Sequence, residues 1–283
     1  MADWCVDTSV RRNGRGSAAR ALLGAACVVL LVTPAQAARA PSLRLGKADC
    51  PLIAVPTAGK LPVGTGTCPG VRPGALVETP IGYCTLNFVF RDSDNRVYVG
   101  TAGHCVLGKG PIQQDAGESV WKTGGPWAKD STGRVIGSFV YAVLQSPKDF
   151  ALIRLNTGIT ANPQMCFFGG PTGINTSTKG PALMRHFGNG LGIGDVLPAR
   201  TAVAPSMSSV DHVYAYGAIM QGDSGSGIIS EDGLAVGVIV TLGVHTQGLM
   251  DQGPIGITRL APQLARAKHL LGINLTLRTA PLL

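Results

Sequence analysis

Short runs of β-branched, aromatic and other apolar residues recur along the chain, separated by polar or glycine- and proline-containing stretches. Two such runs, Asn87–Phe90 and Val97–Val99, flank the polar stretch Arg91–Arg96, which predicts a β-hairpin. Further strands are predicted over Arg134–Val143, Phe150–Leu155, Val210–Tyr216, Gly227–Ile229 and Leu234–Leu242. Regularly spaced short strands are typical of antiparallel barrels and sandwiches, so we expect an all-β fold.

One helix is predicted near the C-terminus. Apolar residues recur there at helical spacing, at Leu260, Leu264, Ala267 and Leu271. Pro262 suits a first helical turn and Gly272 suits a C-terminal cap. We interpret this element as a packing helix without a chemical role.

The N-terminus has the pattern of a secretory signal peptide. Four arginines precede the apolar run Ala21–Val32, and Ala35-Gln36-Ala37 then provides a cleavage signal. The alternative, an uncleaved anchor, needs about 20 apolar residues to span a bilayer, and this run is shorter. We therefore expect residues 1–37 to be removed, leaving no stable membrane anchor. The protein is expected to be secreted, with cell-wall association left open.

Residues 38–77 begin the mature chain and are rich in proline, glycine and alanine. They are interpreted as an N-terminal extension or a short pro-segment. Without residues 1–37, the net charge falls from +8 to +6, because four arginines and two aspartates are lost. The remaining positive charges are scattered rather than clustered, so no nucleic-acid partner is expected.

Cysteine usage fits an exported protein. Five cysteines remain after signal removal, at Cys50, Cys68, Cys84, Cys105 and Cys166. Disulfides persist in oxidising compartments, and an odd number leaves one thiol free or paired with another molecule. No two cysteines have the C-x-x-C spacing of a structural zinc site, so no metal is expected.

Three segments carry residues suited to nucleophilic catalysis. Ser224 lies among small residues in Gln221–Gly227, where a tight turn can direct its hydroxyl and nearby N–H groups at one point. His104 follows a predicted strand directly and is tethered by Cys105, which suits a held general base. Asp149 precedes the apolar run Phe150–Leu155 and can orient an imidazole.

Taken together, these segments resemble the chymotrypsin-like serine protease family, particularly its secreted bacterial branch. The resemblance rests on Thr101-Ala102-Gly103-His104-Cys105, Asp149-Phe150-Ala151-Leu152 and Gly222-Asp223-Ser224-Gly225 in the family's order of histidine, aspartate and serine. It implies two packed antiparallel six-stranded β-barrels with a C-terminal α-helix. The first barrel would span residues 78–160, and the second barrel with the helix would span residues 161–283.

The resemblance also implies roles for individual residues. His104 would be the general base, Asp149 its orienting carboxylate and Ser224 the nucleophile, with the N–H groups of Gly222 and Ser224 forming the oxyanion hole. No metal or organic cofactor would be required. The chain would be a serine endopeptidase that acts on proteins or peptides, and it is expected to be a monomer.

The cysteines and the specificity pocket are less defined. The resemblance implies a Cys84–Cys105 disulfide, whereas Cys166 would pair with Cys50 or Cys68, or would stay free if those two pair together. The wall of the primary pocket would lie near Thr241, Leu242 and Gly243. No acid lies near Ala218, which implies a preference for apolar or small P1 residues.

The chain departs from the family where many relatives anchor their nucleophile loop. It has no Ile-Val-Gly-Gly after a basic residue, so a freed N-terminus is not expected to pair with Asp223, which needs another partner. The main alternative function is a catalytically inactive, protease-like binding module at the cell surface. A third is a hydrolase that acts on esters.

Overall fold

The computed structural model describes residues 68–108, 115–177, 183–190, 197–204, 209–241 and 254–283. The expected signal peptide and most of the expected N-terminal extension lie outside these described residues. In chain order, the elements of the first sheet and its helix are β1 Leu76–Thr79, β2 Gly82–Thr85, β3 Val89–Arg91, β4 Val97–Thr101, α1 His104–Leu107, β5 Asp115–Val120, β6 Trp127–Lys129, β7 Val135–Gln145 and β8 Lys148–Leu155.

The second part of the chain contains the remaining elements. They are β9 Gly173–Ile174, β10 Leu183–Phe187, β11 Ala199–Val203, β12 His212–Gly217, β13 Gly227–Ser230, β14 Leu234–Thr241, β15 Pro254–Arg259, α2 Leu260–Leu271 and β16 Thr276–Leu277. The last strand returns to the first sheet, where it pairs with β3.

The first sheet is antiparallel and curls into a half-barrel. Its strand order is β16-β3-β4-β8-β7-β6-β1-β2, and β5 pairs with β7. Strands β7 and β8 form its long central hairpin, and β8 is buried at nearly every position. Buried Phe88, Phe90, Phe139 and Phe150 fill the core of this half. Burial of such aromatic side chains removes a large apolar area from water and is the main stabilising term here.

The second sheet closes into a six-stranded barrel. Its order is β13-β10-β11-β12-β15-β14, and pairing of β13 with β14 closes the ring, while the short β9 runs parallel to β14. Alternate residues face inward, as β12 shows: Val213 and Ala215 are buried, whereas Tyr214 and Tyr216 are exposed. The expected all-β, double-barrel architecture is confirmed.

The predicted C-terminal helix is confirmed as α2. Its buried residues include Leu260, Leu264 and Ala267, so the helical spacing in the sequence marks the packed face. Gly272 takes a left-handed conformation with φ of 65° and caps the helix through its N–H. Within the described residues, neither helix has the length and apolar character needed to cross a membrane.

Several strands were not predicted from the sequence, and two show why. Strand β5 has the sequence Asp115-Ala116-Gly117-Glu118-Ser119-Val120, which has no strong alternation, and it is recruited by pairing with β7. Strand β10 carries Arg185 and a fully buried His186, which interrupt an apolar pattern. Tertiary pairing therefore overrides weak local preference at both strands.

Candidate active site

The end of β4 and the short helix α1 position His104. Strand β4 ends at Thr101 and α1 begins at His104, so the residue lies at the edge of the first sheet. The predicted Cys84–Cys105 disulfide is present and ties α1 to β2. Thr79 Oγ1 also donates a 2.6 Å hydrogen bond to the Cys105 carbonyl. These contacts restrict the backbone on which the imidazole is mounted.

Strand pairing brings Asp149 beneath this turn. Strands β4 and β8 pair with Thr101 opposite Ala151, which places the start of β8 next to the loop that follows β4. At Gly103, a Cβ atom would collide with the Val143 carbonyl and would lie 3.1 Å from Asp149 Oδ1. The absence of a side chain at Gly103 therefore lets the loop approach the carboxylate.

Asp149 holds His104 through two hydrogen bonds. The backbone N–H of His104 donates to Asp149 Oδ1 at 2.9 Å, and the ring Nδ1 lies 2.7 Å from Asp149 Oδ2. With an ionised carboxylate, Nδ1 carries the proton and donates it, so Nε2 is left as the acceptor. This is the tautomer that a general base requires.

The same contacts affect the protonation of His104. Burial of the ring disfavours its charged form, but the negative charge of Asp149 and its hydrogen bond outweigh that effect and raise the pKa of His104. The side chain retains 27% exposure, whereas that of Asp149 retains 11%. The imidazole therefore remains accessible from the solvent side, and its partner is largely enclosed.

Ser224 lies in a turn that docks on the first sheet. The Thr85 N–H donates to the Ser224 carbonyl at 2.8 Å, and this carbonyl lies 4.0 Å from Cys105 Sγ. Thr85 Oγ1 donates to the Gly222 carbonyl at 2.8 Å. Ser224 therefore lies next to Cys105, the residue that follows His104. His104 and Ser224 themselves are 120 positions apart in the sequence.

Gly225 permits this close docking. It has a φ of +90°, and a Cβ atom there would collide with Thr101 Oγ1 and the Thr85 carbonyl. A side chain would thus be disfavoured both by backbone conformation and by lack of space. Among the described residues, the Ser224 hydroxyl makes no hydrogen bond, including to His104. Catalytic hydrogen bonds are often long before substrate binds and shorten in the complex.

Two backbone N–H groups in the same turn have no acceptor among the residues that the structure describes. The N–H groups of Asp223, Gly225 and Ser226 donate to the carbonyls of Met220, Ile239 and Asp223. Across the described part of the chain, no carbonyl accepts from Gly222 or Ser224. These are the two donors that the sequence predicts for an oxyanion hole.

Arg200 is the partner that Asp223 was expected to need. Nη1 of Arg200 donates to Asp223 Oδ2 at 2.6 Å, and Nη2 donates to Oδ1. The side chains are only 2% and 1% exposed. The N–H groups of Gly190 and Met220 also donate to the carboxylate, at 2.8 and 2.7 Å. Sequence reasoning missed Arg200 because a single arginine in a strand carries no local signal of its partner.

The predicted primary pocket is described only in part. Thr241 ends β14, whereas Leu242 and Gly243 lie outside the described residues. The residues that precede the Ser224 turn, around Ala218, are described, and Ile219 among them is buried. No acidic residue occurs between Tyr216 and Gly222.

The remaining cysteines resolve one open question. Cys68 bonds Cys166, which joins the residues before β1 to the connection between the sheets. This was one of the pairings that the sequence left open, and Cys50 lies outside the described residues. Cys84, His104 and Cys105 cluster closely, but both sulfurs belong to a disulfide and so cannot act as thiolate metal ligands.

Comparisons with known proteins agree with this architecture. No family model matches the sequence, and no curated protein matches it. The structure is similar to the crystal structure of Thermobifida fusca Protease A, with 16% identity, a TM-score of 0.50, and coverage of 74% of this chain and 100% of that chain. It is also similar to Nocardiopsis Protease, with 18% identity, a TM-score of 0.51 and the same coverage of 74% and 100%.

These likenesses are weak in sequence but extend over the full length of both solved proteases. They agree with the closed six-stranded barrel, the curled half-barrel and the C-terminal helix described above. The chain therefore has the fold of the chymotrypsin-like serine proteases.

Proposed function

We propose that this protein is a secreted serine endopeptidase that cleaves peptide bonds through an acyl-enzyme on Ser224. The observation that carries the proposal is the His104–Asp149 pair, with a 2.7 Å contact between Nδ1 and Oδ2, beside a Gly-Asp-Ser-Gly turn. A structural histidine has no need of a buried carboxylate on one side and a half-buried serine turn on the other. General-base activation of a hydroxyl does require such an arrangement.

The proposed reaction assigns a role to each residue of the site. His104 Nε2 removes the proton from the Ser224 hydroxyl as Oγ attacks the peptide carbonyl. Asp149 stabilises the resulting imidazolium, and the N–H groups of Gly222 and Ser224 stabilise the oxyanion. His104 then donates its proton to the leaving amine, and water, activated by the same ring, releases the acyl group.

The proposed P1 preference is for apolar or small side chains. It rests on the stretch Tyr216–Gln221, which has no acidic residue to neutralise lysine or arginine. Cleavage of a peptide library, read out by mass spectrometry, tests this preference. Predominant cleavage after basic or acidic residues would contradict it.

Secretion is proposed from the N-terminal sequence pattern and the two disulfides. Disulfides persist in oxidising compartments outside the cytosol. Determining the N-terminus of protein recovered from the culture medium tests the proposal. We expect the recovered chain to begin after Ala37 or further along.

Covalent labelling by a fluorescent fluorophosphonate tests the proposed nucleophile. We expect the wild-type protein to be labelled, and expect no labelling when Ser224 is replaced by Ala, because the phosphonylated oxygen is then absent. Ser226→Ala is the matched control, because Ser226 lies two residues away in the same loop but is fully buried. Folded wild-type protein that remains unlabelled would instead favour the inactive binding module.

The acidic limb of the pH profile should report His104. Because the pKa of His104 is raised, its ring remains protonated at pH values above the ordinary histidine pKa of 6.5. A protonated ring cannot act as a base, so kcat/KM should rise with pH through a midpoint above 6.5. Measuring kcat/KM between about pH 5 and 9 checks this. A midpoint below the ordinary histidine value would show that Asp149 does not stabilise the imidazolium.

A further inference from the structure

The position of Asp149 depends on the turn between β7 and β8. Gln145 and Lys148 pair across this turn, which contains Ser146 and Pro147. Asp149 is the second residue of β8, so a shift of the Pro147 carbonyl moves the backbone that carries the carboxylate. Within the described residues, both hydrogen bonds to that carboxylate come from His104 itself. No other described side chain holds the carboxylate directly.

Two side chains of the second barrel reach this turn. Thr258 Oγ1 donates to the Pro147 carbonyl at 3.3 Å. His212 lies opposite Thr258 in the pairing of β12 with β15, so the two side chains lie on the same face of the sheet, and the Pro147 carbonyl favours the charged form of the His212 ring. Thr258 is fully buried and His212 is 7% exposed. The turn that precedes Asp149 is therefore held from the opposite barrel.

The surroundings of His212 favour a neutral ring. Its Nδ1 is buried and has no hydrogen-bond partner among the described residues, which leaves Nε2 as the ring nitrogen available to the Pro147 carbonyl. Burial lowers the pKa of His212, although the Pro147 carbonyl, Asp149 and Asp211 oppose that effect. The neighbouring cation Arg259 donates to the Val210 carbonyl at 3.0 Å, and the Tyr214 ring lies 4.8 Å from the His212 ring.

A neutral His212 has a consequence for the candidate base. Asp149 is close enough to influence both histidines electrostatically. A positive charge on His212 would compete with the imidazolium of His104 for the same carboxylate. With His212 neutral, no second imidazolium competes with that of His104 for the Asp149 carboxylate.

We propose that His212 is a positioning residue: together with Thr258 it holds the Pro147 carbonyl and thereby keeps the Asp149 carboxylate directed at the His104 ring. The inference rests on the proposed function, because it assigns His212 to the same catalytic machinery. It does not make His212 a catalytic residue, since its ring acts through the turn and not on the substrate.

The test compares His212→Leu, which removes the donor, with His212→Gln, which retains one. Histidine-ring NMR gives the pKa of His104 in each protein, and steady-state kinetics gives kcat and KM. For His212→Leu, we expect the pKa of His104 to fall by roughly 0.5–1 unit and kcat to fall by roughly 10- to 100-fold with KM little changed. His212→Gln should recover most of both values.

His269→Gln is the matched control, because it replaces an exposed histidine at the end of α2. It should change neither the pKa of His104 nor kcat. Should His212→Leu fail to fold, Thr258→Val removes the other donor to the same carbonyl and should shift the pKa of His104 in the same direction. Folded variants with an unchanged pKa of His104 and unchanged kcat would overturn the proposal.

The NMR titration keeps this test separate from the proposed function. It measures the coupling between His212 and His104 whether or not the protein turns over a substrate. Wild-type protein that the fluorophosphonate does not label would refute the peptidase proposal. A labelled protein whose His104 is insensitive to His212 would refute only the positioning role.

Discussion

Replacing Ser224 by Ala, His104 by Ala, or both is expected to lower kcat/KM by about the same factor, roughly 10⁶-fold. The reason is that the hydroxyl is a useful nucleophile only when the ring removes its proton, and without the hydroxyl no acyl-enzyme forms on which the ring can act. Once either the hydroxyl or the imidazole is lost, removing the other one causes no further decrease in kcat/KM. The double variant should therefore be no slower than the single ones.

The measurement is hydrolysis of a fluorogenic peptide chosen from the library experiment, with Ser226→Ala as the control that should retain activity. Residual hydrolysis in the triad variants should reflect only substrate binding and the donors of Gly222 and Ser224. If the two single effects multiplied in the double variant, Ser224 and His104 would be acting independently. That result would contradict the proposed mechanism even if each variant were slow.

The parts of the site that the sequence predicts are those with a local signature. His104 and Ser224 each lie among small residues that a tight backbone needs, and Asp149 directly precedes a run of buried residues. The chain order of the three then adds information that no single segment holds. Local signatures of this kind also predicted α2 and the strands with strong apolar patterns, including β7, β8 and β14.

The residues that support the site have no such signature. Arg200 is 23 positions from Asp223 and lies in β11, an exposed-and-buried alternating strand that was not predicted. His212 lies in a predicted strand, but its relation to Pro147 depends on the packing of one barrel against the other. Contacts between distant segments are set by tertiary structure, so a pattern read along the chain cannot reveal them.

The buried pair of Arg200 and Asp223 anchors the turn that carries Ser224, at the position where the sequence predicted no pairing with a freed N-terminus. Asp223 accepts from Arg200 and also from the N–H groups of Gly190 and Met220, so its carboxylate joins three segments. His186 lies opposite Arg200 in the strand register and is fully buried. Burial and the charge of Arg200 lower the pKa of His186 to about 4, so this ring adds no second positive charge at neutral pH.

Replacing Arg200 by Leu is accordingly expected to destabilise the protein by about 3–5 kcal/mol, because it leaves the Asp223 carboxylate buried without its cation. The unfolding midpoint should fall by roughly 6–20 °C for a chain of this size. The rate of fluorophosphonate labelling should fall as well, since the turn that carries the Gly222 and Ser224 N–H groups loses its anchor. Thermal unfolding and labelling kinetics measure the two effects.

Two further variants distinguish the effect of breaking the buried ion pair from the effect of losing any arginine. Arg96→Leu removes a cation that is 52% exposed and pairs with Asp92 and Asp94, so it should cost no more than about 1 kcal/mol. Arg200→Leu combined with Asp223→Asn removes the unpaired charge and keeps an acceptor for one of the two N–H groups. It should recover much of the lost stability. If Arg200→Leu alone unfolded at the wild-type temperature, the buried pair would not be what holds the nucleophile turn.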